Sequence, residues 1–150
     1  MTKGISKILT NWLSLEICKS AFETFRQKLE YDEPIPPFET RFPSRLESVI
    51  GSVQATFNKE YLNPTVLEAA AAYMNQFIRG HVFENGNKRM GVLFTHIFLL
   101  MNNVDLTLSS QDMYLFAVLL AEAGEHRVSS NTTKRWCVEV LRNFTKEIDR

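Results

Sequence analysis

Residues 63–101, NPTVLEAAAAYMNQFIRGHVFENGNKRMGVLFTHIFLLM, place a short polar stretch between two strongly apolar helical segments, and their reading decides the fold. Asn63 and Pro64 make an N-cap and first-turn pair, because Asn accepts from early helix amides and proline has none to lose. The helix they open runs through TVLEAAAAYMNQFIR and is expected to close on Gly80, a residue suited to a left-handed position past a helix end. A second helix is predicted to begin near Asn87 and to continue, mostly apolar, to Met101.

Helical periodicity extends outward from this pair, and no convincing alternating strand is visible. Ile5, Ile8, Leu9, Trp12 and Leu13 form one stripe, and Cys18, Ala21, Phe22, Phe25 and Leu29 form another, with a possible break near Ser14. The segment YDEPIPPFETRFP, from Tyr31 to Pro43, holds four of the five prolines and cannot be helical through its middle. A helix from about Ser44 to Phe57 is expected to bury Leu46, Val49, Ile50 and Val53. Ser109 and Asp112 resemble a capping box ahead of MYLFAVLLAEAG, which should stop at Gly124. A last helix is predicted to carry Cys137, Val140, Leu141, Phe144 and Ile148 on one face. Together these segments predict a single all-α bundle of six or seven helices over residues 1–150.

Composition narrows the function. Lys plus Arg and Asp plus Glu both number 17, so nothing electrostatic argues for nucleic acid or an anionic membrane as partner. Any anion site must be local. The longest apolar run, Val92 to Met101, contains Thr95 and His96 and is too short to span a bilayer. Cys18 and Cys137 lie far apart on apolar stripes and read as reduced core thiols of a cytoplasmic protein. Asn11, Ser14 and Glu16 break the stretch after Lys3 and Lys7, which does not read as a secretory signal.

The polar stretch HVFENGNKR, His81 to Arg89, is where chemistry is expected. The first-turn amides of a helix opening at Asn87 have no internal acceptors and carry partial positive charge. Gly86 would let a ligand approach the backbone, and Asn87, Lys88 and Arg89 add side-chain donors, which is a phosphate-binding arrangement. His81 is the nearby side chain able to take a proton near neutral pH. Each residue also has a plainer reading: a helix end for His81, a surface residue for Arg89, an N-cap for Asn87 and a solvated charge for Lys88. His96 follows Arg89 by seven residues on the same face and is expected to be a satisfied core histidine, while Tyr73, Phe94, Phe98 and Tyr114 are expected in the core.

His81, Phe83, Asn85, Gly86, Asn87, Lys88 and Arg89 together resemble the signature of the Fic/Doc family, H-x-F-x-D/E-G/A-N-G/K-R. The likeness runs from about Leu15 to Leu119 and leans to the Doc (death-on-curing) branch, with residues 1–13 and 131–150 as flanking helices. It implies that His81 deprotonates a hydroxyl of a protein substrate that attacks a phosphorus of ATP. Phe83 would anchor the loop, and Gly86, Asn87, Lys88 and Arg89 would hold the phosphates, with Arg89 as the charge-assisted donor and Mg²⁺ bridging phosphate oxygens.

Three positions depart from the usual pattern. Lys88 replaces a second glycine and Val92 replaces a second arginine, which implies the Doc reaction, transfer of the terminal phosphate, over transfer of AMP. Asn85 stands where an acidic metal ligand is usual, and its neutral amide oxygen is a weaker ligand for Mg²⁺. Ile35, Phe38, Thr40 and Arg41 fall in the segment that the resemblance implies is a flap over the target protein. No inhibitory-helix motif S/T-x-x-x-E-G/N occurs in the chain, so restraint would come from an antitoxin of the Phd type. The implied target is a translation factor, with nucleotide transfer and a non-catalytic binding module as the competing readings.

Overall fold

A computed structural model describes residues 11–25, 45–80 and 87–148. The first stripe from Ile5 to Leu9, the proline-rich segment with Ile35, Phe38, Thr40 and Arg41, and the loop residues His81, Phe83, Asn85 and Gly86 lie outside the described residues.

The architecture is all-α, with six helices among the described residues: α1 (Leu15–Phe25), α2 (Arg45–Val53), α3 (Val66–Arg79), α4 (Asn87–Met101), α5 (Ser110–Glu125) and α6 (Ser130–Asn143). The central element is α3, which packs mainly on α4 and α6 and also meets α2 and α5. Four consecutive alanines, Ala69 to Ala72, are buried in α3, and side chains that small let neighbouring helices approach on several sides. Below them, Tyr73 sits edge-on to Phe98 at 4.9 Å between centroids, and Phe77 edge-on to Phe94 at 5.1 Å, the arrangement favoured by ring quadrupoles. The Tyr73 hydroxyl accepts from the amide of Leu13 at 3.2 Å, tying the segment before α1 to this core. Trp12 and Leu13 belong to that segment and are not helical.

Short strands correct the strand-free expectation. Thr56–Phe57 and Glu60–Tyr61 form a hairpin (β1 and β2) whose two turn residues, Asn58 and Lys59, both have positive φ. That turn matches strand twist. The second helix therefore ends at Val53 instead of Phe57, and Ile50 is only partly buried. Val104–Leu106 (β3) pairs antiparallel with Thr145–Glu147 (β4). The last helix consequently stops at Asn143, and Phe144 and Ile148 leave its face: pairing with a distant strand outweighs the local helical period.

The caps also differ from expectation in detail. Thr65, not Asn63, caps α3 by accepting from the amide of Glu68, while the Asn63 side chain donates to the Val53 carbonyl and so fixes the end of α2. Gly80 closes α3 in a right-handed conformation, φ −82°. Past Gly124, α5 continues to Glu125, and the left-handed residue after it is Arg127. Ser109 does cap α5, accepting from the amide of Asp112. Cys18 and Cys137 are buried free thiols, as their stripes predicted.

Candidate functional site at the amino end of the fourth helix

Two helices aim their ends at the same place. The carboxyl end of α3, at Arg79 and Gly80, and the amino end of α4, at Asn87, bracket residues 81–86. Arg79 is fixed by a polar network behind it. Its Nη1 donates to the Thr133 hydroxyl at 2.8 Å, that hydroxyl lies 2.7 Å from Asn75 Oδ1, and Asn75 Nδ2 donates to Ser130 Oγ at 2.9 Å. Asn75 and Thr133 are both buried, so their pairing is obligatory and locks α3 to the start of α6.

Gly91 lies inside α4, outside the signature and away from any turn. A Cβ built on it would stand 2.7 Å from Cγ1 of the buried Ile78, so its lack of a side chain is what lets α4 lie against α3 two residues after Arg89. The available signal was a glycine inside an apolar helix without a turn around it. Thr95 at the next turn returns its hydroxyl to the Gly91 carbonyl at 2.7 Å.

Asn87, Lys88 and Arg89 occupy the first turn of α4, where the sequence predicted a helix start, and each is half-buried. Beside Arg89 opens a groove of about 400 Å³, lined by Arg89, Val92, Leu93 and His96 from α4 and by Ser110, Gln111 and Tyr114 from α5. Two expectations change here. His96 is no core histidine: its side chain is 41% exposed, faces the groove, and pairs with Asp105 Oδ1 of β3 at 3.3 Å. Tyr114 is half-buried at the groove wall, where its ring lies under the Arg89 guanidinium at 5.0 Å from the centroid.

The donor set fits an anion. An amide side chain, an ammonium and a guanidinium at the positive end of a helix dipole suit phosphate oxygens. No cluster of three His, Cys, Asp or Glu side chains that could hold a metal occurs among the described residues. No helix among them is long and apolar enough to cross a membrane.

The fold and this site define an all-α protein whose fourth helix opens with an amide and two cationic side chains, a donor set suited to an anion. Residues 9–99 match the model of the Fic/DOC family. Over 88 residues the chain is 35% identical to protein kinase doc of Escherichia phage P1, a span covering 59% of this chain and 68% of that relative. The chain belongs to the Fic/DOC family, on its Doc branch.

Proposed function

We propose that this protein is a Doc-like toxin that transfers the terminal phosphate of ATP to a hydroxyl of a protein, with a translation factor as the expected target. The observation that carries this reading is the first turn of α4, where Asn87, Lys88 and Arg89 follow one another and Arg89 also lines the groove. In this reading His81 takes the proton of the target hydroxyl, whose oxygen attacks the terminal phosphorus as the bond to the bridging oxygen of ADP breaks. Asn87, Lys88 and Arg89 hold the phosphates, Gly86 gives the backbone access, and Arg89 offsets the developing charge. Phe83 anchors the loop. Mg²⁺, when bound, would neutralise phosphate oxygens, with Asn85 as the protein ligand.

Lys88 and Val92 in place of a second glycine and a second arginine favour phosphate over nucleotide transfer, and the relative from phage P1 carries the name of a kinase. Ile35, Phe38, Thr40 and Arg41 would clamp an extended segment of the target. A Phd-type antitoxin would silence the enzyme in the cytoplasm.

Incubation with a bacterial extract and ATP labelled at the α or γ phosphorus tests the reaction. Protein labelling from γ alone, absent with His81→Ala, is expected. Labelling from α would establish nucleotide transfer instead. No labelling from either position would leave a binding module. In cells, growth arrest that needs His81 and is relieved by an adjacent open reading frame is the expected companion result.

A further inference from the structure

We infer that Tyr114, on α5, is a positioning residue for the anion site: its ring holds the Arg89 guanidinium at the mouth of α4 before any ligand arrives. The inference deepens the reading of Arg89 as a phosphate donor and rests on it. Arginine loses much rotamer freedom when its long side chain is fixed in one place. A guanidinium that must be found and fixed at each binding event makes a weaker anion site than one already held. Arg89 has such a holder. Its Cζ lies 5.0 Å from the centroid of the Tyr114 ring, within the range in which the negative ring face attracts a cation.

The holder is itself fixed. Tyr114 follows the fully buried Met113 and precedes the fully buried Ala117 by one helical turn, so α5 is seated in the core on both sides of it. Ser109 caps the same helix five residues earlier, which sets where its first turn begins. The ring thus projects from a rigid element, while the arginine reaches it from the first turn of α4. Both residues line the same groove, so a ligand entering there meets a guanidinium already oriented by the ring. The ring needs only its π face for this task. A phenylalanine would serve equally, whereas an aliphatic side chain of similar bulk would not.

The test compares Tyr114→Phe, Tyr114→Leu, Arg89→Ala and the double variant Tyr114→Leu/Arg89→Ala, all in the full-length chain. Circular dichroism and thermal melting confirm that each is folded. Titration with ATP and Mg²⁺ by calorimetry gives affinity. The Nε–H resonance of Arg89 reports the ring current independently of any ligand. Wild type and Tyr114→Phe should bind ATP alike, and Tyr114→Leu about two- to fivefold more weakly, the factor expected from one exposed to partly desolvated cation–π contact. The double variant should bind no worse than Arg89→Ala, because the ring acts only through the arginine. The Arg89 resonance should move in Tyr114→Leu and stay in Tyr114→Phe. An unchanged affinity in Tyr114→Leu, alongside a large loss in Arg89→Ala, overturns the positioning role and leaves the phosphate site standing. An unchanged affinity in Arg89→Ala removes the phosphate reading and the positioning role with it. Loss of affinity in Tyr114→Phe equal to that in Tyr114→Leu would shift the role to the hydroxyl and equally overturn the proposal.

Discussion

The guanidinium of Arg79 and the hydroxyl of Thr133 meet at 2.8 Å, joining the carboxyl end of α3 to α6 two residues before the loop that begins at His81. Thr133 also serves Asn75, so one buried hydroxyl satisfies two partners on α3. Thr133→Val keeps the shape and deletes both bonds. A loss of about 1–3 kcal/mol in stability is expected, because Asn75 is left with a buried unpaired oxygen. Urea denaturation measures it, and an unchanged midpoint would show that water replaces the hydroxyl.

Gly91→Ala should destabilise the protein although alanine is the better helix former. The added methyl would sit 2.7 Å from Ile78 Cγ1, an atom near the backbone of a residue only 1% exposed. Overpacking costs about 1–3 kcal/mol, against a propensity gain of about 1 kcal/mol. A lowered melting temperature is expected, and in the background of Ile78→Ala the same substitution should be tolerated or favourable.

Alkaline pH should unfold the molecule from within. Burial pushes the thiols of Cys18 and Cys137 from 9.0 up to about 12, and the Tyr73 phenol from 10.0 up to about 12. In each case the folded state holds its proton more tightly than the unfolded chain does. The stabilising difference is fully present below the unfolded values and is lost as pH rises through the interval from about 9 to about 12. Melting temperature should fall steeply above pH 9, and less steeply in Cys18→Ala once its own stability loss is subtracted. Both thiols should also resist a disulfide reagent until denaturant is added.

Tyr73→Phe removes the acceptor for the buried amide of Leu13 while leaving the ring stack in place. An expected cost of about 1–3 kcal/mol follows from that orphaned donor. Faster hydrogen exchange at the Leu13 amide would localise the effect to the segment before α1.

Asn85→Asp should raise Mg²⁺-dependent labelling of the target protein, since a carboxylate is a stronger ligand than an amide for a hard cation. A metal titration of activity reads it directly. Identical Mg²⁺ dependence in both proteins would exclude residue 85 from the metal site.

Much of this molecule was readable from one dimension. Residues 63–101 announce two apolar helices and a polar interruption because a helix needs only a local period of about 3.6 and end signals within a few residues. The same locality made the Fic/Doc signature legible, and with it the donors Asn87, Lys88 and Arg89 at a helix start. The pairing of Val104–Leu106 with Thr145–Glu147 was not legible, because its partners lie some forty residues apart and each strand is too short to show alternation. Gly91 against Ile78, the Tyr114 ring under Arg89 and the turning of His96 to Asp105 were decided only by how the helices pack. A sequence specifies which faces are apolar, but which two side chains meet across helices depends on their relative placement, and that exists only once the chain has folded.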